Sequence, residues 1–423
     1  MKKQFKQQWI PAREDVVHIA FVHDWLYHMW WAETVFLWLI QMKSDEVRCT
    51  HTGMKSQMIL NSKIFTLFSD KKFLDVYGQK FEIMTALPRW VFGIFQYFEH
   101  HRTWWLSKLF DYRNLMFFYP FLIWILRRKV EQFAPDEVII SSFAAVKNII
   151  PIMNSRWGEK HWIFARVQDG IKMKPRIIKN TLYLHSPMQY IWDYYEDNVH
   201  KLKSPIKQLY QLITPVLRRW DKQPRYYNQV MCNSHYTAAA AQRLYGRDHC
   251  EVQYPIIDPK YLQAKIDIGQ IWNYYVFIGR LVRFAKELDL IIRLFNYTED
   301  KLIIIGSGPD EQYLRSIAWP NIEFRWQIND IDEKIKLVWR SLGLINLTRE
   351  SFGMVTAEAL CLWVPVFGYN QWGSVELVDE YSGVLISNKK LDYVIEQFEQ
   401  FKMRKWDSKK IQDTIRWKLQ QNK

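Results

Sequence analysis

The sequence predicts an α/β protein of two open parallel sheets, and three observations carry that prediction. Short apolar runs rich in Val, Ile and Phe alternate with helical patterns along the chain, the rhythm of repeated strand–helix units. The rhythm is interrupted once, by the proline-bearing stretch VQYPIIDPKYL at 252–262, and then resumes. At 423 residues the chain is long enough for two domains, each with its own core.

In the first half the strands read VVHIAFVHDW at 16–25, EVIISSF at 137–143, TLYLHS at 181–186 and QVMCNSH at 229–235. In the second they read YYVFIGRL at 274–281, KLIIIGSG at 301–308, NIEFRWQI at 321–328, LGLINLT at 342–348, VPVFGYN at 364–370 and GVLIS at 383–387. The two prolines of 252–262 are expected to exclude regular structure, so the boundary is placed near Ile257. The expected domains are 1–257 and 258–390, followed by a helical tail over 391–423 that is Lys-rich at its end. Two such sheets in tandem are expected to turn the carboxyl ends of their strands towards a shared cleft, where ligands bind in open α/β folds.

Composition narrows the function classes. The net charge of +14 calls for an anionic partner: a phospholipid surface, a nucleic acid or a diphosphate ligand. Cys49, Cys232, Cys250 and Cys361 show neither zinc-site nor disulfide-framework spacing, which suits a reducing cytosol. The basic N-terminus has no apolar core of signal-peptide length, so export is not expected. The longest apolar stretch, Leu115 to Leu126, is closed by Arg127 and Arg128 and falls short of the roughly 20 residues a membrane span needs. From Arg89 to Lys129 aromatic and basic residues interleave, which suits either an interfacial helix pair or a buried helix with solvated charges.

The densest chemical signal is GLINLTRESFGMVTAEALCLWVPVF at 343–367, read as strand, turn, helix from near Phe352, and strand. Glu350 is read as closing the strand and Glu358 as lying about two turns into the helix. Ser351 is the expected helix cap, Gly353 permits close backbone approach, and the N–H groups of the first turn suit a diphosphate. Taken alone, the two glutamates read first as the solvated face of an amphipathic helix. A second signal, VFIGRLVRFAKELDLIIRLFN at 276–296, places Arg280 at a strand end and Lys286 at a helix start. Two cations there suit a diphosphate whose charge grows as a bond breaks. The glycines of IIIGSGPDEQYL at 303–314 are read as a structural strand-to-helix turn, and Asp330-x-Asp332 as a helix cap without a metal.

Together, GRL with Lys six residues beyond its Arg, GSGP, ESFGMVTAEAL and VPVFGYNQWGSVELV resemble, in order and spacing over about 120 residues, the large retaining glycosyltransferase group 1 family of GT-B fold, typified by phosphatidylinositol mannosyltransferase. HDWLYHM with AETVFL, YLHSPMQYIWD, LRRWD and CNSHYT extend the likeness to members that build lipid-linked surface polysaccharides. The resemblance implies two Rossmann-like domains facing a central cleft, acceptor side first and nucleotide-sugar side second. It implies transfer of a hexose, such as mannose, from a GDP-, UDP- or ADP-sugar to a glycan or lipid-linked acceptor, with no metal or other cofactor and no nucleic-acid partner. Arg280, Lys286 and the backbone of Phe352, Gly353, Met354 and Val355 would hold the donor diphosphate. Glu358 would bind ribose, with Gln327 and Ile328 near the base. Glu350 and His185 would contact the sugar, and Trp30, Trp31 and Glu33 would form an acceptor-side loop. A cytoplasmic enzyme touching the anionic inner face of the plasma membrane follows. A nucleotide-sugar 2-epimerase of the same fold and a catalytically degenerate membrane-surface binder are the alternatives.

One departure from that family recurs. Trp30, Trp31, Trp326, Trp363 and Trp372 stand where the pattern has glycine. The chain has 15 glycines and 21 tryptophans, whereas glycine at roughly 7% of residues would number about 30. A source that reads UGA as glycine, translated with UGA as tryptophan, explains all five.

Overall fold

The computed structural model describes residues 16–26, 31–49, 59–88, 91, 93, 118–149, 162–167, 170–175, 179–264, 272–326, 328 and 330–421. The chain divides into two compact units, 1–232 with 240–251, and 233–239 with 252–423.

The first unit runs β1 (Val16–His23), α1 (Trp31–Cys49), β2 (Ile59–Thr66), α2 (Lys71–Tyr77), β3 (Glu82–Thr85), α3 (Tyr119–Phe133), β4 (Glu137–Ser142), β5 (Trp162–Val167), β6 (Gly170–Pro175), β7 (Lys179–Leu184), α4 (Tyr195–Lys201), α5 (Ile206–Trp220), β8 (Gln229–Cys232), α6 (His235–Tyr245) and β9 (Glu251–Val252), with α6 lending its first turn to the second unit. Seven strands lie in the order β3-β2-β1-β4-β7-β8-β9, while β5 and β6 form a separate antiparallel pair. Every residue of β4, EVIISS, is buried, as a strand covered on both faces requires. It pairs in parallel with β1 and β7, setting Ile139 beside Phe21 and Thr181.

The second unit follows with α7 (Pro259–Gln263), β10 (Tyr275–Ile278), α8 (Arg283–Lys286), α9 (Leu288–Thr298), β11 (Leu302–Ile305), α10 (Glu311–Ile317), β12 (Ile322–Arg325), α11 (Ile331–Trp339), β13 (Gly343–Asn346), α12 (Met354–Cys361), β14 (Val366–Tyr369), α13 (Ser374–Leu377), β15 (Gly383–Ile386), α14 (Leu391–Met403) and α15 (Ser408–Gln421). Its six strands lie in the order β12-β11-β10-β13-β14-β15, all paired in parallel. Leu288, Ile291, Ile292 and Phe295 press one face of α9 into the core. From α14, Phe398 and Phe401 reach Tyr275 and Phe367 with ring centroids 5.0–6.4 Å apart. Burying each such ring stabilises by about 1.5–3 kcal/mol. These are the two Rossmann-like parallel sheets expected from the sequence.

Two local readings need correction. The proline stretch is not free of regular structure: β9 ends at Val252, and Pro259 opens α7 at the first helical position, where its missing N–H costs nothing. Asp258 caps that helix by accepting from the Lys260 N–H at 2.9 Å. Lys286 ends a short helix instead of starting a long one, because Glu287 turns left-handed at φ 53°. Gly306, by contrast, bears out its structural reading: at φ 149° a Cβ there would lie 2.0 Å from the Gly279 carbonyl oxygen.

Among the described residues no helix is long and apolar enough to cross a membrane. The Arg89–Lys129 segment lies largely outside the described residues; within it α3 buries Leu122, Ile123 and Leu126 and exposes Phe121 and Trp124, with Phe118 exposed just before the helix.

Candidate active site

The Lys286–Glu350 pair is the centre of the candidate site. Lys286 arrives from the end of α8, after the loop that leaves β10, and Glu350 from the loop between β13 and α12. The segments that follow β10 and β13 meet because the two strands are adjacent in the sheet. The Lys286 Nζ lies 2.5 Å from Glu350 Oε1, with the side chains 25% and 20% exposed.

Burial pushes the Glu350 carboxyl up, but the Lys286 charge and hydrogen bonds from Lys286, Thr348 and Asn346 outweigh it, so the group stands below its ordinary value. Thr348 Oγ1 donates to Asn346 Oδ1 at 2.5 Å, and Asn346 Nδ2 to Thr356 Oγ1 at 3.0 Å, tying the strand end to α12. Glu350 thus lies four residues beyond β13, on the loop, and does not close the strand.

Gly353 occupies the N-cap position of α12 at φ 98°, a conformation that favours glycine, and no side chain caps the helix. Ser351 is therefore not the cap. Phe352 and Val355 are buried and Met354 is half-buried, leaving backbone as what this segment can offer a ligand. The Gly373 N–H donates to the Glu350 carbonyl at 2.9 Å, seating the loop after β14 against the one carrying Glu350.

Glu358 lies little more than one turn into α12, not two, because the helix starts at Met354. It is buried, and Lys334 of α11 approaches it at 3.3 Å. Arg280, half-buried just past β10, makes no ion pair among the described residues. Ile328 is half-buried, and Gln327 lies outside the described residues. The structure thus joins Lys286 to Glu350 directly and places Glu358 in a separate pair with Lys334.

In the first unit His185 follows β7, with its Nε2 2.8 Å from Ser141 Oγ. Burial, followed by repulsion from His23, lowers its pKa to about 3, so the ring is neutral. Its neighbour His23, fully buried and 3.0 Å from the Ser141 carbonyl through Nδ1, is likewise pushed down to about 3 by burial. Trp31 and Glu33 stand on the first turn of α1, not on a loop; Trp30 lies outside the described residues.

Three charged residues went unassigned in the sequence. Asp24 is fully buried and accepts from the backbone N–H groups of Phe143, Ala144, Ala145 and Val146 and from Ser142 Oγ, at 2.6–2.9 Å. Lys147 and Asp221, also fully buried, pair at 3.0 Å, and Asp221 further accepts from Asn148, Trp192 and Tyr245. A lone lysine in the apolar run SSFAAVKNII was the available signal.

Two of the anomalous tryptophans adopt glycine-like backbones. Trp363 has φ 66° and Trp372 φ 59°. Trp363 follows α12, its N–H donating to the Leu360 carbonyl and that of Val364 to the Ala359 carbonyl, both at 3.0 Å. This is a Schellman motif with Trp363 at the position usually held by glycine. Its indole Nε1 is buried without a partner. Trp372 stacks on Tyr236 at 4.8 Å.

Two Rossmann-like parallel-sheet units with charged loops at the strand ends define a protein of the GT-B class. Residues 263–415, within the second unit, match the family model for glycosyl transferases group 1. Among solved structures, the chain is similar to the lipopolysaccharide outer core galactosyltransferase WaaB in its apo form, with TM-score 0.57 and 13% identity over 95% of each chain. It is similar also to WaaG, a glycosyltransferase of lipopolysaccharide biosynthesis, with TM-score 0.58 and 12% identity over 96% of this chain and 95% of that one. Anabaena HepE in complex with UDP matches with TM-score 0.55 and 14% identity over 96% and 100%. No curated protein matches the chain in sequence.

Proposed function

We propose that the chain is a retaining glycosyltransferase that moves a hexose, such as mannose, from a nucleotide diphosphate sugar to a glycan or lipid-linked acceptor of cell-surface polysaccharide synthesis. The observation that carries this reading is the Lys286–Glu350 pair at the strand ends of a glycosyl transferases group 1 domain. The solved structure of HepE with UDP-glucose supports a nucleotide-sugar donor.

In this reading the acceptor hydroxyl attacks the anomeric carbon from the face the diphosphate leaves. A new C–O bond forms as the bond to the diphosphate breaks, and the hydroxyl proton passes to the departing phosphate. Lys286 and Arg280 stabilise the growing negative charge, and the backbone of Phe352 to Val355 holds the diphosphate. Glu350 orients the sugar, His185 contacts it as a neutral imidazole, and Glu358, Gln327 and Ile328 line the nucleoside side. No metal takes part. The enzyme works on the cytoplasmic side, against the anionic inner face of the plasma membrane, with Trp30, Trp31 and Glu33 towards the acceptor.

The test is incubation of the purified chain with GDP-, UDP- and ADP-sugars, with and without a lipid-linked acceptor, following nucleotide release and the anomer formed. Lys286→Ala and Glu350→Ala are expected to abolish transfer while the chain stays folded by circular dichroism. Normal turnover by either variant overturns the site assignment. Interconversion of the nucleotide sugar without any acceptor decides for the 2-epimerase.

The reading also holds that positions 30, 31, 326, 363 and 372 are glycine in the natural protein, through UGA codons read as glycine. The left-handed backbones at Trp363 and Trp372 support it. Masses of native peptides spanning these positions decide the matter, and tryptophan masses overturn it.

A further inference from the structure

Among the described residues, an apolar stripe on α5 has no cover. Ile206, Leu209, Leu212 and Val216 recur at helical spacing and are 60%, 50%, 74% and 68% exposed. The helix packs its other side inward through Tyr210, Thr214 and Leu217. The inward face is well anchored: the Tyr210 hydroxyl donates to the Tyr190 carbonyl, and Arg218 Nε to the Ile191 carbonyl at 2.7 Å. The stripe is thus held outward by a fixed helix. Apolar patches of this kind on a folded surface mark docking sites.

Charge identifies what docks. From Asn198 to Trp220 there is no acidic residue, while Lys201, Lys203, Lys207, Arg218 and Arg219 are all cationic. Lys203 and Arg219 are exposed and Lys207 is half-buried, and just beyond the helix Lys222 and Arg225 are exposed too. Exposed aliphatic side chains along one side of a helix, with exposed cations beyond both of its ends, fit the plane of an anionic bilayer, where the apolar chains enter the acyl boundary and Lys and Arg reach the phosphates. A second copy of this chain would bring the same cations against themselves.

We infer that α5 is a membrane-docking helix that seats the first unit on an anionic lipid surface. This deepens, and rests on, the membrane-surface part of the reading above, and it assigns that contact to a helix well apart in sequence from the Arg89–Lys129 segment. The helix lies in the interface and does not span it, since its 15 residues are too few.

The experiment is co-sedimentation of the full chain with vesicles of phosphatidylcholine alone and of phosphatidylcholine mixed with phosphatidylglycerol. The comparison variant is Leu209→Gln/Leu212→Gln/Val216→Gln, whose side chains are already half or more exposed, so folding is retained. Binding is expected only to the anionic vesicles, to weaken with salt, and to fall about tenfold or more in the triple variant. Arg219→Gln/Lys222→Gln is expected to weaken it as well. Equal binding by the triple variant, or no binding by the wild type, overturns the inference. So does a concentration-dependent dimer in sedimentation velocity that the triple variant abolishes, which gives the stripe to a second copy. Acceptor-independent release of nucleotide from the sugar donor, measured on the same preparations, is expected to be unchanged. Its loss in the wild type would strike the enzymatic reading, and its persistence without vesicle binding would strike the docking helix alone.

Discussion

Trp363 and Trp372 offer a comparison in which the sign, not only the size, of a stability change is fixed by the backbone. At both positions φ is near +60°, and at Trp363 the two hydrogen bonds of the Schellman motif hold it there. Trp363→Gly and Trp363→Ala remove the same indole, so the loss of its packing and the release of its unpartnered Nε1 cancel in the comparison. What remains is the backbone term. An alanine in the left-handed region sets Cβ against the carbonyl oxygen at a cost of about 1–2 kcal/mol, and the greater freedom of glycine in the unfolded chain offsets about 0.5–1 kcal/mol of that. Trp363→Gly is therefore expected to be more stable than Trp363→Ala by about 0.5–1 kcal/mol. In a unit of this size that is about 1–4 °C in the melting temperature. Trp372 is expected to behave alike. At Trp38, inside α1, the order reverses, with alanine ahead by about 1 kcal/mol. Urea unfolding of the full chain, with the two units followed separately, measures all six variants. Alanine equal to or better than glycine at position 363 would refute the reasoning, as would the same order at Trp38 and Trp363.

Three further outcomes follow from buried charge. Glu350 has a lowered folded pKa, so the stability it contributes is present above its unfolded value near 4.5 and is lost as pH falls through the folded value; Lys286→Met is expected to move that loss to higher pH in an acid titration. His23 has a folded pKa of about 3 against 6.5 unfolded, so below pH 6.5 the unfolded chain binds the extra proton and stability falls by up to about 1.4 kcal/mol per pH unit. His23→Gln is expected to flatten that part of the profile, and an unchanged slope between pH 6.5 and 4 would contradict it. Lys147→Met leaves Asp221 buried without its cation and is expected to cost about 3–5 kcal/mol in denaturant unfolding, with Lys147→Met/Asp221→Asn recovering part of the loss.

The second unit was the more legible because a parallel sheet covered on both faces forces its strands into unbroken apolar runs, and LIII at β11 or YVFI at β10 can be read as nothing else once helices flank them. β2 escaped because Asn61, Ser62 and Lys63 interrupt the apolar residues of ILNSKIFT, with Lys63 pairing at 2.8 Å with Glu82 of β3, a strand only four residues long. The start of α12 was misplaced because Ser351 satisfies the usual capping preference, whereas the left-handed Gly353 makes the turn. The break at Glu287 was invisible since VRFAKELDLIIRLFN carries one continuous helical pattern and a non-glycine residue gives no warning of positive φ. Lys286 and Glu350, 64 residues apart, were assigned to one ligand and do meet. The Asp24 and Asp221 clusters join segments more than 70 residues apart, and no periodicity encodes such a meeting.

The two kinds of buried charge differ in what they leave over, and that difference separates scaffold from site. Asp24 is fully buried, and its two oxygens receive five donors, four of them backbone N–H groups, so nothing of its capacity remains for a ligand. Asp221 is similarly filled by Lys147, Asn148, Trp192 and Tyr245, and its effect is to fix the segments carrying them. Lys286 is otherwise. Its ammonium has three donors and stays a quarter exposed, so donors remain after Glu350 is served. In the proposed reaction the carboxylate holds the cation at the strand end before substrate arrives, and a diphosphate then engages it without the cost of ordering a free lysine. That arrangement makes Glu350→Gln informative. The neutral amide keeps the shape and can accept a hydrogen bond from Lys286 but loses the charge that positions it. Donor binding is then expected to be retained while the transfer step slows, whereas Lys286→Ala is expected to weaken donor binding itself. Isothermal titration with the nucleotide diphosphate alongside single-turnover transfer separates the two. Equal loss of donor affinity in both variants would show that the pair acts only as a structural tie between the two loops.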